Sequence, residues 1–500
     1  MSTTNANTVY GGDEINAIIL DIGSLNTRIG YAGDDFPKII TASSYGQLSD
    51  GTRIFGESID VLRQKGTEVK RIVENSLIVD WEAAFEMFSY YFKQLKIVEK
   101  DQPILITEPI WSTNEYRTRL IEQVYKRYEF PGLYLVKVPS CISFQQGRPN
   151  CLVVDLGHDS ISVSPVVDGI CLIKSSVRTP YSGKFLNNIV KDFLQGKKKT
   201  SSNGEGEEEE NRLVIEPSIL IKNKEPTKYP QEKAVFELKK LGEDVIVTDS
   251  FRLYEEDKIW HEFKETMLEV PTQEMKKKSS LGKGRGAGAG AGGGGGGGRD
   301  CSDDDSDSPL FSKRTFELPT GQSITLGQER FLMAETIFDP LLYKFNQSEL
   351  QPPACNGEIP GIEHNTISEY RPVKRIRRSE DEENDVVNKK EIVRGLTQLI
   401  THVISIIDID LRAGLANNII VTGGSSLIVQ LTERLYHELS QLNPGLKIRL
   451  HATGNSMERI NQSWIGASVL ASLGTFHQMW VSQREYEMEG SERILNQRFR

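Results

Sequence analysis

A chain of 500 residues is too long for one ordinary core, and with 38% hydrophobic and 26% charged side chains it is expected to fold as two or more soluble lobes. A formal net charge of −10 argues against a nucleic-acid footprint spread over the whole surface. Five cysteines without a CxxC pair favour neither a zinc site nor a disulfide framework, which points to a reducing intracellular compartment.

The polar opening MSTTNANTVYGGDE has no apolar signal core, and the longest apolar runs are strand-sized, so no export or membrane span is expected. Residues 13–195 alternate strand-like runs (17–20, 103–107, 152–154) with helix-like ones such as 80–95, the pattern of an α/β lobe. In LDIGSLNTRIGYAGD (20–34), Asp21 closes an apolar strand, Gly23 and Ser24 make a turn, and a second strand carries Arg28. The same device recurs in CLVVDLGHDSISVSPVVDG, where Asp155 and Gly157 keep the spacing of Asp21 and Gly23.

Three stretches have nothing to bury and read as disordered insertions: 196–211, 274–312 and about 350–390. The first ends in the glutamate run 207–210, a solvated loop by composition, and the second runs from basic through polyglycine to acidic. The third carries KRIRR (374–378), which fits a nuclear-import signal, a nucleic-acid contact or a plain solvated run. Periodicity resumes after each. Ile392, Val393, Leu396, Leu399, Ile400, Val403 and Ile406 predict a helix, 419–421 a strand, and Ile428, Leu431, Leu435 and Leu439 a second helix. Gly423 and Gly424 lie between that strand and that helix, where a ligand can approach the backbone.

Two glycine-turn hairpins facing each other across a cleft would offer backbone N–H groups to a polyphosphate, and their two carboxylates would hold hydrated Mg²⁺. A single strand-turn-strand with a closing Asp is common. The pair, followed by the Gly-Gly turn, is the specific signal.

Taken in order, LDIGSLNTRIGYAGD, TEP (107–109), GRPNCLVVDLGHD, LPTGQSITLGQERF (318–331), VTGGSSL (421–427) and SWIGASVLASLGTFHQMW (463–480) resemble the actin family along the whole chain, interrupted only at the insertions. The resemblance implies an α/β actin-like fold of two lobes, each a five-stranded RNase-H-like sheet with helices, around a nucleotide cleft. The first lobe would span 13–150, with 464–500 returning to it, and the second 151–463. It also implies ATP and Mg²⁺ as cofactors, with Asp21 and Asp155 reaching the metal through water. Gly23, Ser24, Leu25 and Arg28 match the first phosphate loop, and Gly157, His158 and Asp159 match the second. Lys264 and Glu265, in HEFKETM, match the pair along the adenosine, although alone they would read as an exposed charged helix face. Gly423, Gly424 and Ser425 match the turn against which the nucleotide packs.

Departures from the family pattern bear on activity. Arg28 stands for a lysine, trading a compact ammonium for a planar fork. Leu25 replaces a loop glycine, His158 stands where an acid is usual, and Asp159 puts a negative charge where the family has glycine beside the phosphates. The glutamine and histidine that orient the attacking water align with Val138 and Ser162. Losing such groups costs ~10²–10⁴ in rate, so the expectation is a structural ATP with little or no hydrolysis and no catalytic residue. Because adjacent strand residues point to opposite faces, His158 and Asp159 are not expected to share an acid–base role.

Within the family, the opening VYGGDE, the GRPNC segment, the insertions and the ending ERILNQRFR are similar to the nuclear actin-related subunits of chromatin-remodelling and histone acetyltransferase complexes. That implies a nuclear protein that pairs with actin on the helicase-SANT-associated helix of a scaffold, with histones or nucleosomes as further partners and no membrane. The scaffold helix would seat in a groove lined by Ile465, Val469 and Leu473, on an apolar helix over 465–479. Two alternatives come from other classes. An active actin-like ATPase is opposed by Val138 and Ser162. A filament-forming cytoskeletal protein is opposed by the stretch 34–80, which lacks a long Met/Gly-rich loop.

Overall fold

Strand β1 (Ile18–Ile22) is apolar except for Asp21, one residue before its end, and is buried throughout, as a strand covered on both faces must be. The computed structural model describes residues 17–62, 66–195, 213–227, 233–242, 245–272, 311–365 and 393–499. β1 turns back antiparallel into β2 (Asn26–Tyr31), which pairs with β3 (Ile39–Ala42). On its other side β1 runs parallel to β4 (Ile104–Glu108), and β4 parallel to β5 (Gly132–Lys137). Parallel neighbours need crossovers, supplied here by helices α1 (Trp81–Leu95) and α2 (Asn114–Lys126). Asp80 caps α1 by accepting from the Ala83 N–H at 3.0 Å, and the helix ends where Lys96 turns left-handed at φ 55.

The chain leaves this lobe through α3 (Val138–Gln145) and builds the second sheet on the same plan. β6 (Cys151–Leu156) is antiparallel to β7 (Ile161–Val167), which also carries β8 (Val177–Thr179). Helices α4 (Gly183–Gln195), α5 (Asp249–Met267) and α6 (Leu396–Ile406) follow before β9 (Ile419–Thr422), parallel to β6. Helix α7 (Leu431–Leu442) leads to β10 (Leu450–His451), parallel to β9. Register repeats too: Asp21 lies opposite Arg28 and Thr107, and Asp155 opposite Ser162 and Thr422.

Helix α8 (Gln462–Ser472) returns to the first lobe, where β11 (Val481–Ser482) covers the outer edge of β5 and α9 (Ser491–Arg498) packs on α2. Among the described residues each main sheet has six strands rather than five: β11 closes an open edge of the first, and the second consists of β6 to β10 with the short strand Ile170–Cys171 beside β7. Leu20, Phe85 and Phe88 share one core with Ile494 and Phe499 from the C-terminal end, while Leu152, Phe263, Leu399 and Leu435 share another. Between them lie α3 and α8. They approach so closely at Gly466 that a Cβ there would collide with the Cys141 carbonyl.

Three local expectations are corrected. The helix expected from Ile392 begins at Leu396, behind Gly395, whose missing Cβ makes room for the Phe338 carbonyl. The helix expected over 465–479 stops at Ser472: Leu473 is extended (φ −71, ψ 129), and a 3₁₀ turn, Gly474–Gln478, follows. Finally, the third insertion was expected from about 350, yet 350–365 packs on the second lobe, with Ile359 2% exposed beside Cys171 and the Gly357 carbonyl accepting from the Arg178 N–H at 2.9 Å. The segments 196–211, 274–310 and 366–390, with the 207–210 and 374–378 runs, lie outside the described residues. Among the described residues, no helix is long and apolar enough to cross a membrane.

Candidate functional site

Both hairpin turns close in the same way. The Gly23 N–H donates to the Asn26 carbonyl at 3.2 Å, and the Gly157 N–H to the Ser160 carbonyl at 3.1 Å. A Cβ at Gly23 would come within 2.6 Å of that carbonyl oxygen, so the turn requires glycine. At the cleft floor the buried Asp21 carboxylate accepts from Thr107 Oγ1, from Ser463 Oγ at 2.8 Å and from Arg28 Nη1 at 3.0 Å. Asp155 comes in from the other lobe. Burial, and then the Asp21 charge, push its carboxyl up to about 6, with Arg28 opposing. Two carboxylates with one nearby guanidinium, which bonds Asp21 alone, leave negative charge that a hydrated divalent cation would offset, so the donor set fits Mg²⁺. Gly423, at φ +88, hugs the end of β6 so closely that a Cβ there would lie 2.6 Å from Asp155 Oδ1.

The second wall is built on the start of α4. The Gly157 carbonyl accepts from Ser182 Oγ at 2.5 Å, Ser425 Oγ at 3.2 Å and the Gly183 N–H at 3.3 Å. A Cβ at Gly183 would stand 2.9 Å from Ser425 Oγ and 3.2 Å from Lys264 Nζ, so Gly157, Gly183, Ser425 and Lys264 meet so closely that only glycine fits at 183 without displacing a neighbour. Lys264 is 4% exposed, and burial pulls its ammonium down to about 8. Its Nζ donates to the Gly183 carbonyl at 3.3 Å and lies 3.2 Å from His261 Nδ1. Glu265, one residue on, has a side chain 61% exposed and meets His261 Nε2 at 3.1 Å on the rim. The exposed-face reading thus holds for Glu265 and fails for Lys264, because successive helix residues are turned about 100° apart.

His158 and Asp159 sit in the turn between β6 and β7, outside strand alternation, and their side chains approach to 3.9 Å instead of diverging. That is beyond a hydrogen bond. Burial first, then the Lys264 charge, hold the His158 imidazole well below its usual range, so it is neutral. Its buried Nδ1 has no hydrogen-bond partner among the described residues. Asp159 Oδ2 accepts from the Asn75 N–H of the first lobe at 2.8 Å. Ser24 Oγ accepts from the Ser76 N–H at 2.8 Å, while Leu25 lies at the exposed rim.

Val138 opens α3 and packs half-buried on Ile142, Cys151 and Val153, and Ser162 is buried in β7. Neither position carries an amide or an imidazole. Of the expected groove residues, Ile465 is half-buried against the Trp464 cluster, whereas Val469 and Leu473 are 41% and 40% exposed. A separate hollow of about 890 Å³ on α7, lined by Glu335, Arg434, His437 and Glu438 among others, contains neither the carboxylate pair nor the hairpin turns.

The structure adds residues that sequence reading passed over: Arg71, Asn75, Thr107, Trp111, Gly183, His261, Asn461 and Ser463. Signals existed for some of them: Thr107, His261 and Ser463 open the quoted stretches TEP, HEFKETM and SWIGASV, and Asn75 opens a two-residue hairpin turn in VENSLI.

A family model described as Actin matches residues 12–500. Over the full length of both chains, the protein is 56% identical to Actin-related protein 4 of Candida albicans. It is 51% identical to the protein of that name in Debaryomyces hansenii, again over both whole chains. With Actin-related protein 4 of Saccharomyces cerevisiae the identity is 33%, covering 98% of this chain and 99% of the relative.

Proposed function

Because the chain belongs to the actin family, we propose that it is a nuclear actin-related protein, a structural subunit of chromatin-remodelling and histone acetyltransferase complexes. It holds ATP with Mg²⁺ between its lobes, hydrolyses it little or not at all, and pairs with actin on a scaffold helix of the helicase-SANT-associated type. One observation carries this reading: the carboxylate pair and both glycine turns are intact, while the positions for orienting water hold Val138 and the short Ser162. When bound, the metal would neutralise phosphate charge over Asp21 and Asp155. The turns at Gly23 and Gly157 would receive the phosphates, and Lys264 and the Gly423–Ser425 turn the nucleoside end. The full-length similarity to Actin-related protein 4 chains, at up to 56% identity among those named above, supports a shared role as an actin-related protein.

Two measurements test the proposal on the full chain. A ligand at ~100 times its Kd adds about 2.7 kcal/mol to the folded state, so saturating Mg²⁺ and ATP should raise Tm clearly. No shift would refute nucleotide binding. Affinity purification from nuclei should recover actin and a remodeller or acetyltransferase scaffold, and recovery of neither would refute the assembly role.

A further inference from the structure

Lys264 lies near the end of α5 with 4% of its surface exposed, yet among the described residues no carboxylate forms an ion pair with it. Its Nζ has two partners, the Gly183 carbonyl at 3.3 Å and His261 Nδ1 at 3.2 Å, and neither is an anion. Because His261 Nε2 meets the Glu265 carboxylate at 3.1 Å, that nitrogen carries the imidazole proton, and Nδ1 is left to accept from Lys264. A charged imidazole would stand beside the ammonium, so the two are not charged together.

The surrounding groups leave this unchanged. His158, in the second glycine turn, has its ring centre 6.3 Å from that of His261 and is likewise neutral. On α5 the Asp257 and Glu265 charges favour the ammonium without pairing with it, and Lys184 and Lys191 of α4 and Arg71 of the first lobe face Asp257 in turn. Asp159 is taken by the Asn75 N–H and faces Arg71. The turn after β9 supplies the Ser425 hydroxyl, which does not titrate in this range. A buried ammonium without a counter-ion is the costly state, and losing its proton relieves the cost. Burial accordingly pulls Lys264 down to about 8.

We propose that Lys264 is a proton switch in the nucleotide site: the nucleotide binds the ammonium form, draws a proton onto Nζ above neutral pH, and is held less tightly as that proton leaves. The switch rests on the nucleotide binding proposed above and names its regulation. Lys264 is already shut from water, so it loses little more solvation when the cleft fills. What the ligand adds is negative charge on the Gly157 turn, whose carbonyl crowds Gly183 as Nζ does, together with the acceptor atoms of its nucleoside end. Both favour the ammonium. Linkage is reciprocal, so a proton tightens the nucleotide by the same factor as the nucleotide tightens the proton.

Calorimetric titration of ATP with Mg²⁺ into the full chain, in buffers of different ionisation enthalpy, counts the protons taken up. At pH 8 the phosphates are fully ionised, so uptake reports the protein. Wild type should take up about half a proton per ATP there, and Kd should weaken about tenfold between pH 7 and 9. Lys264→Arg fixes the charge and Lys264→Met removes it. In both, uptake at pH 8 should vanish and Kd should stay within about twofold over the same range. Binding by the wild type without uptake, or uptake that survives both substitutions, overturns the switch alone. If ATP does not bind the wild type, the functional reading fails and takes the switch with it. The titration of Lys264 itself is tested without nucleotide. Above pH 8 the unfolded chain keeps a proton that the folded chain has lost, so stability rises with pH. In urea denaturation from pH 7 to 9.5 the wild-type folding constant should gain on that of Lys264→Met by up to about tenfold per pH unit, and parallel curves overturn the switch.

Discussion

Arg28 Nη1 donates to Asp21 Oδ2 at 3.0 Å, so the guanidinium on one strand of the first hairpin neutralises the carboxylate that closes the other. Arg28 Nε donates to Asn461 Oδ1 at 2.7 Å, tying this pair to the segment that leads back to the first lobe. A lysine has no second nitrogen on such a fork, which gives the substitution of Arg28 for the family's lysine a structural consequence.

Arg28→Met should leave Asp21 and Asp155 facing each other without a counter-charge. Breaking a buried pair from one side costs about 3–5 kcal/mol, and the lower end is expected since the Arg28 side chain is 13% exposed. Urea denaturation measures the loss. Added Mg²⁺ with ATP should recover more stability in the variant than in wild type, because the metal would take over the neutralising role.

Hydrolysis is expected near baseline in single-turnover assays with the native chain. Installing the missing side chains as the double variant Val138→Gln, Ser162→His should raise it, by up to the ~10²–10⁴ that positioned proton-transfer groups supply. Release of labelled phosphate from preloaded protein is the measurement. Native turnover well above baseline, and not raised in the double variant, would contradict a cofactor role for ATP.

Stability should fall as pH drops below the usual histidine range. Burial, then Lys264, hold His158 well below 6.5, and the same causes pull His261 down to about 4. Between those values the unfolded chain takes up protons that the folded chain refuses, so acid favours unfolding and the lost stability returns as pH rises through 6.5. Each refused proton contributes up to about 1.4 kcal/mol per pH unit. Denaturation midpoints from pH 7 to 4.5 should therefore fall more steeply for wild type than for His158→Asn, His261→Gln.

Val469 is 41% exposed on α8, so Val469→Asp should not disturb the core. If the scaffold helix covers this face, the carboxylate becomes buried without a partner and assembly weakens. Recovery of scaffold and actin with the variant should drop while its Tm stays within a few degrees of wild type.

What could be read ahead of the fold was local chemistry. The carbonyls of Asn26 and Ser160, each three residues on, crowd Gly23 and Gly157, so the two turns with the Asp before each share one local signature, and it was their repetition that made them recognisable. Apolar runs likewise announce β1, β6 and β9, because strands buried on both faces have no room for polar residues. Lys264 and Glu265 could not be separated that way. Their fates depend on how far α5 is rotated, and the burial of Trp260 and Phe263 in the second core sets that rotation. Asn75 and Asp159 are 84 residues apart, and neither has a periodic or compositional mark that names the other. Their bond exists because two separately built sheets place a hairpin tip and the second glycine turn on opposite lips of one cleft, and hydrogen-bond geometry is fixed by that placement rather than by neighbours along the chain.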